Sequence, residues 1–112
     1  MKRIEAIIRP EKISDIRKAL DKVGYPGMTV EEVEGHGKQK GVTRQWRGEN
    51  YTVDFLPKVR LEIVANDADA ERIIQALLDA ARTGEVGDGK IFVTNVQDVI
   101  RIRTGERGQG AL

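Results

Sequence analysis

The most constraining feature of this sequence is a strand–helix–strand pattern that occurs twice along the chain. In its first copy, residues 2–9 alternate between apolar and polar side chains, which predicts a half-buried strand. A helix is predicted next, because apolar residues recur at spacings of three and four until Gly24. A second strand is predicted over residues 28–34, with a bulge where the alternation slips at Glu31 and Glu32.

The second copy of the pattern follows a long connection. Residues 59–65 alternate and predict a third strand, and Asp67 is the predicted N-cap of a second amphipathic helix. Residues 91–96 and 99–103 are predicted as the last strands of the ordered part. Arg101 and Arg103 would share one face of the final strand, because side chains two apart point the same way.

This order of elements predicts an α/β (α+β) domain of the ferredoxin-like type, with a four-stranded antiparallel sheet and two helices on one face. The length of 112 residues suits a single domain, residues 1–112. The second sheet face would be left uncovered, and Ile7 and Val64 would lie on it between charged neighbours. A partly apolar uncovered face favours a symmetric oligomer.

Composition excludes several classes of function. The chain has no cysteine, and its 19 basic and 18 acidic residues give a net charge of +1. Such a balance does not indicate the basic face of a nucleic-acid-binding protein, and the strand of residues 60–65 offers no aromatic side chain on which RNA bases could stack. No apolar run approaches the ~20 residues of a membrane helix, so a soluble cytoplasmic protein is expected.

A glycine-rich stretch, residues 82–90 (the glycine loop), ends in Lys90 and fits the spacing G-x-x-x-x-G-K. A true P-loop lies between a strand and a helix, whereas this stretch follows a helix, and Ile91 stands where a hydroxyl should bind magnesium. The P-loop interpretation is therefore rejected. Closely spaced glycines can still form an anion nest, with cations from Lys90, Arg101 and Arg103. The alternative is a turn that merely ends the helix.

The connection of residues 37–55 is longer than most hairpin loops, and loops of this length are usually functional or disordered. It carries Trp46 and Tyr51, which suggests a docking element for a partner; the alternative is that both rings pack on their own sheet. His36 is the only histidine, so no metal role is predicted for it.

Three stretches, GHGKQKG, RGENYTVDFLPK and ARTGEVGDGKIFV, resemble in order and spacing the PII family of nitrogen-regulatory signal proteins. The resemblance covers essentially the whole chain and is closest to the subgroup that regulates ammonium transporters. It implies a homotrimer that binds ATP or ADP between its subunits. Residues 37–55 would be the family's T-loop, residues 82–90 its B-loop, and residues 101–112 its C-terminal loop and tail.

The resemblance also implies specific site residues. The nucleotide would be bound by Thr29, Gly35, Gly37, Lys38, Val64, Gly87, Asp88, Gly89, Lys90, Arg101 and Arg103. The effector 2-oxoglutarate would be bound beside MgATP by Gly37, Lys38, Gln39, Lys40, Gly41, Lys58 and Gly87. Gln39 would ligate the magnesium, and Lys58 would pair with the distal carboxylate of the effector.

The implied function is control of an ammonium transporter, with Arg47 at the loop tip entering its pore. The protein would be cytoplasmic and reversibly recruited to the inner face of the membrane. Tyr51 matches a tyrosine that is nucleotidylated in many members. The alternative within the family is an ATP/ADP energy sensor that regulates an enzyme such as glutamine synthetase, without a 2-oxoglutarate response.

Two readings outside the family are weaker. No Walker-type metal pair accompanies Asp88 or Glu62, the carboxylates that could activate water, so the protein is not expected to be an enzyme. A small-molecule sensor that works without nucleotide would leave the set of Gly87, Lys90 and the two arginines unexplained.

Overall fold

The computed structural model describes residues 1–25, 27–36, 42–53 and 55–112 of the chain. Its helices and strands, in chain order, are β1 (Lys2–Ile8), α1 (Ile13–Lys22), β2 (Thr29–Gly35), β3 (Val42–Trp46), β4 (Glu49–Val53), β5 (Leu56–Ala65), α2 (Asp67–Ala81) and β6 (Lys90–Asn95). Short 3₁₀ turns occupy Pro10–Lys12 before α1 and Gly108–Ala111 near the end of the chain.

The main sheet has four antiparallel strands in the order β2-β5-β1-β6. The core lies between this sheet and the two helices, and its fully buried members include Ile4 of β1, Leu61 of β5, Ile16 of α1 and Ile73 of α2. Burial of a side chain of this size stabilises the fold by about 1.5–3 kcal/mol. The ferredoxin-like arrangement predicted from the sequence is thereby confirmed.

Alternate residues of the central strands point away from the helices, as the pattern predicted. Ile7 and Val64 are half-buried on this open face, between charged neighbours. The predicted bulge in β2 is wrong, because residues 29–35 pair one to one with β5. The predicted N-cap is also displaced by one residue: Asn66 precedes α2, and Asp67 is its first residue, where its carboxylate pairs with the N-terminal amine at 3.0 Å.

The long connection contains an element that the sequence analysis did not predict. Strands β3 and β4 form a two-stranded antiparallel sheet that is separate from the main sheet. Arg47 and Gly48 form its two-residue turn with φ of 49° and 80°, the left-handed values of a tight hairpin turn. The β-branched and aromatic residues on both sides of this pair were the available signal.

The predicted strand over residues 99–103 is wrong. Only Ile100 makes a bridge, to Arg107, and residues 102–104 form a turn. Arg101 and Arg103 therefore do not share a strand face. The segment folds onto itself instead, because Arg101 pairs with Glu106 at 2.7 Å and donates to the Gly110 carbonyl at 3.0 Å. Ala111 is buried, so the polar tail is more ordered than its composition indicated.

The molecule is elongated, with extents of 59 × 27 × 21 Å and a radius of gyration of 17.0 Å. A compact domain of this length has a radius of gyration of about 13 Å.

No helix in the described part of the chain is long and apolar enough to cross a membrane.

Candidate functional site

A cleft of about 550 Å³ lies on the open face of the sheet, where three segments meet. The end of β2, the start of β5 and the glycine loop supply its walls, which are lined by Ile7, Gly35, His36, Leu56, Lys58, Glu85, Val86, Gly87, Asp88, Gly89, Lys90 and Phe92. The structure thus brings together residues that are more than 50 positions apart in the sequence. Six predicted site residues meet here: Gly35, Lys58, Gly87, Asp88, Gly89 and Lys90.

The glycine loop has the backbone conformation that its composition predicted. Gly84, Gly87 and Gly89 have φ of 90°, 105° and 94°, values that other residues adopt only with strain. Gly89 is constrained a second time, because a Cβ atom there would lie 1.6 Å from the Ile7 carbonyl oxygen. The loop therefore passes against β1 more closely than any side chain would permit.

Asp88 holds the loop together through its carboxylate. Oδ2 accepts hydrogen bonds from the main-chain N–H groups of Thr83 and Gly84, both at 2.9 Å. Oδ1 accepts from the Thr83 hydroxyl and from Arg9 Nε, the latter at 3.1 Å. The Thr83 hydroxyl is the main cause that holds the pKa of the Asp88 carboxyl well below its usual range, and the Thr83 and Gly84 N–H groups and Arg9 add to it.

Arg9 is a residue of this site that the sequence analysis missed. Besides its bond to Asp88, it donates from Nη2 to the Val86 carbonyl at 2.9 Å. The signal that could have found it is the strand register. Ile7 pairs with Lys90, and two residues further along this antiparallel register Arg9 is opposite Asp88. Such a register can be used only once the strand pairing is known.

Lys58 closes the other side of the loop. Its side chain is buried, and Nζ donates a hydrogen bond to the Gly87 carbonyl at 2.8 Å. Burial, and then the nearby charge of Arg9, lower the pKa of Lys58 below its ordinary value, while Glu11 and Asp88 oppose this shift. Gly35 passes close to Lys58, since a Cβ atom at Gly35 would lie 3.0 Å from Lys58 Cγ.

The remaining polar groups of the loop are available to a ligand. The main-chain N–H groups of Val86, Gly87 and Asp88 donate to no described residue. Lys90 is exposed at the cleft, and its ammonium has no carboxylate partner in the described ranges. Consecutive free N–H groups beside a lysine are the elements of an anion-binding nest.

Four predicted nucleotide-binding residues lie outside this cleft. Thr29 and Val64 are on the open face near its other end, and Val64 is six residues along β5 from Lys58, about 20 Å at the usual rise per residue. Arg101 is bonded within the C-terminal segment, whereas Arg103 is exposed and pairs with no described carboxylate. Within one chain these residues do not join the glycine loop.

Several predicted residues lie outside the described residues and are not placed. They are Gly37, Lys38, Gln39, Lys40 and Gly41, which carry the predicted effector and magnesium contacts. Tyr51 is placed as a backbone position of β4, paired with Arg44. In the part of the chain that is described, no three acidic or histidine side chains are grouped so that they could hold a metal ion.

The predicted partner-binding residue, Arg47, lies at the tip of the β3–β4 hairpin. Its guanidinium carbon is 5.4 Å from the centre of the Trp46 ring, within the range of a cation–π contact. The Trp46 side chain is 65% exposed, which is unusual for an indole. At the root of the connection, the His36 and Phe55 rings lie 5.4 Å apart.

Comparison with known proteins gives a consistent result. The family model "Nitrogen regulatory protein P-II" matches residues 1–106. The P-II protein of Rhizobium meliloti is 56% identical and that of Azospirillum brasilense 55% identical, each over the full length of both chains. "Nitrogen regulatory protein P-II 1" of Methanothermobacter thermautotrophicus is 55% identical over all of this chain and 97% of its own.

These names describe signal-transduction regulators and not enzymes, in agreement with the sequence prediction. Together with the ferredoxin-like sheet and the match over nearly the whole length, they identify the chain as a member of the nitrogen regulatory protein P-II family.

Proposed function

We propose that this protein is a nitrogen-regulatory signal protein that binds ATP or ADP in the clefts between three subunits, responds to 2-oxoglutarate together with MgATP, and controls an ammonium transporter through residues 37–55. The observation that carries this proposal is the cleft in which the glycine loop meets Lys58 and the root of the long connection. Its volume of about 550 Å³ is within the usual range for small-molecule sites, about 300–1,000 Å³.

The glycine loop supplies the chemistry for a polyphosphate. Three consecutive N–H groups, from Val86 to Asp88, donate to no described residue, and Lys90 adds an exposed positive charge. Hydrogen bonds between such donors and a charged acceptor contribute about 1.5–3 kcal/mol each. In this proposal Arg101 and Arg103 of a neighbouring subunit complete the phosphate site, and Thr29 and Val64 border the adenine.

Lys58 is the group that supports an acidic effector. Its Nζ atom lies in the wall of the cleft and donates to a neutral carbonyl, that of Gly87. A carboxylate is a stronger acceptor for an ammonium than a carbonyl is, because both groups are charged. Gln39 would hold the magnesium, which would supply ligand positions for the 2-oxo acid. Main-chain N–H groups of residues 37–41 would receive the near carboxylate.

The position of the same cleft explains how binding of a ligand would affect the interaction with the partner. Its lining includes both ends of the long connection, Gly35 and His36 at the end of β2 and Leu56 at the start of β5. A ligand that contacts these residues acts at the root of the β3–β4 hairpin. It can shift the hairpin only by its difference in affinity for two arrangements of that root. The hairpin tip, with Arg47 and Trp46, would then be presented to the transporter or withdrawn from it.

The proposal is tested by titrating ATP into the purified protein by calorimetry, with and without Mg²⁺ and 2-oxoglutarate. We expect micromolar ATP binding that the effector strengthens. Lys90→Ala should weaken ATP binding about tenfold, the effect of losing about 1.4 kcal/mol, with an unchanged free energy of unfolding. Lys18→Ala, which removes an exposed lysine from α1, is the matched control and should bind ATP as the parent does.

Two other results have clear meanings. If ATP binds and 2-oxoglutarate does not change its affinity, the energy-sensor alternative would be favoured, in which the protein responds to ATP and ADP. Absence of any ATP or ADP binding would overturn the proposed function.

A further inference from the structure

We infer that Arg9 is a positioning residue of the glycine loop. With the Asp88 carboxylate, it holds residues 83–88 in the shape that presents the loop's free N–H groups to a ligand. The inference rests on the proposed function, in that the ligand is taken to be a phosphate group bound by this loop. The interactions concerned, named here the Arg9–Asp88 network, join Arg9, Thr83, Gly84, Asp88 and the Val86 carbonyl.

The strand register places Arg9 at the centre of a row of charges. The β1–β5 register pairs Ile8 with Val59, so Arg9 comes opposite Lys58 at the next step. The β1–β6 register brings Asp88 to the other side of Arg9. Two cations opposite each other in a sheet are unfavourable. The Asp88 carboxylate offsets this repulsion, which ties the glycine loop to the strand end.

The backbone of Arg9 is held rigidly by its neighbours in the chain. It follows Ile8, whose side chain is only 3% exposed, and precedes Pro10, which restricts Arg9 to the extended conformation found here. Its carbonyl accepts a hydrogen bond from the Lys12 N–H at 3.1 Å. The Arg9 side chain is itself only 15% exposed. A guanidinium on a fixed backbone holds its partners in place with little loss of entropy.

The Asp88 side chain is directed at its own loop. Its two oxygens accept four hydrogen bonds, from the Thr83 N–H, the Thr83 hydroxyl, the Gly84 N–H and Arg9. A carboxylate offers about four acceptor sites and no donor, so this capacity is filled. The negative charge of the Asp88 carboxylate would also repel an anionic ligand such as a phosphate. The Asp88 side chain therefore acts through the shape of the loop, while its main-chain N–H stays available to a phosphate.

Removal of Arg9 would act on the loop at two points. The Val86 carbonyl would lose its guanidinium donor, and Asp88 would lose its cationic partner. Residues 86–88 carry the free N–H groups, so the region that loses support is the region that would bind the phosphate. Lys58 would remain bonded to Gly87 on the other side. The loop would stay attached, but its donors would no longer be held in one arrangement.

The experiment compares Arg9→Gln, Arg9→Lys and Arg17→Gln with the parent. Arg17 is an exposed arginine of α1 and gives the matched control. Amide hydrogen exchange is measured first, without nucleotide. In Arg9→Gln we expect the hydrogen-bonded amides of residues 83–85 to exchange at least tenfold faster, with the amides of α2 and β5 unchanged. Arg9→Lys should restore part of the protection, and Arg17→Gln should match the parent.

ATP affinity is then measured by calorimetry. We expect Arg9→Gln to weaken ATP binding at least tenfold. In an Asp88→Asn background the same substitution should change the affinity less than threefold, because the two residues act as one unit. Exchange and affinity in Arg9→Gln that stay within twofold of the parent would overturn the inference. So would faster exchange over the whole sheet, which would show a general loss of structure instead of a local one.

The exchange measurement separates this inference from the proposed function. Faster exchange confined to the amides of residues 83–85 supports the positioning role of Arg9 even in a protein that binds no nucleotide. Failure of the parent to bind ATP would overturn the proposed function alone.

Discussion

The glycine loop joins α2 to β6, and the β3–β4 hairpin lies in the connection between β2 and β5, yet the two segments are built in opposite ways. The glycine loop is held by Arg9, which follows β1, by Lys58 of β5 and by its own Asp88. The hairpin pairs with itself in a separate two-stranded sheet, and its tip residues Trp46 and Arg47 are exposed. One segment is fixed to the core and the other projects from it.

This difference matches two requirements of a signalling protein. A binding site for a small anion needs donors in fixed positions, since reordering them on binding costs affinity. A segment that reports the bound state must be able to change its arrangement, and such segments have few contacts with the core. The cleft lies between the glycine loop and the root of the hairpin, so a ligand held by the loop in the proposed way would also touch that root.

The largest expected effect comes from paired glycine substitutions, one in each region. Gly89→Ala should lower the free energy of unfolding by more than about 3 kcal/mol, because the new Cβ would overlap the Ile7 carbonyl at a positive φ. Gly48→Ala has a similar φ but meets no atom within 4 Å, so its cost should be about 1 kcal/mol. Chemical denaturation measures both, and equal costs would contradict the comparison.

The second prediction separates binding of the nucleotide from binding of the partner. Arg47→Glu at the hairpin tip should abolish the proposed complex with an ammonium transporter, because it reverses the exposed charge beside Trp46. ATP affinity should stay within twofold of the parent, since the tip does not line the cleft. A pull-down with transporter-containing membranes measures the first effect and calorimetry the second. Lys22→Glu, at an exposed position of α1, is the charge-matched control. Undiminished binding of Arg47→Glu would count against the proposed role of the tip.

The third and smallest effect concerns the pH dependence of the glycine loop. The pKa of Asp88 is held well below its usual value by Thr83, by the Gly84 N–H and by Arg9. The stabilisation by a carboxylate of lowered pKa is complete above its unfolded pKa, about 3.9, and is lost as the pH falls toward the folded value. Asp88→Asn should therefore be less stable than the parent at pH 7, and this difference should shrink progressively below pH about 4.

The measurement is urea denaturation from pH 7 to pH 2 for the parent and both variants. Glu85→Gln, an exposed carboxylate of the same loop, is the control and should follow the parent throughout. A difference between Asp88→Asn and the parent that stays constant across this range would show that the charge of Asp88 is not what holds the loop.

The alternating and helical periods of the sequence predicted the main fold correctly. Patterns such as Ile4–Ala6–Ile8 depend on which face of an element is buried, and that choice is local to the element. The glycine loop was also recognisable, because positive φ values at Gly84, Gly87 and Gly89 require that residue type. The C-terminal strand failed because alternation alone cannot tell a strand from a segment that pairs with itself, as Arg101 does with Glu106.

The sequence by itself therefore determined the sheet with its two helices, the glycine-rich turn and membership of a family. The tertiary structure decided which side chains support that turn. Arg9 and Asp88 are 79 positions apart, and they meet only because β1 and β6 are neighbours in one register. Periodicity records which residues are buried within an element, whereas a contact between elements depends on their pairing, which no local pattern contains.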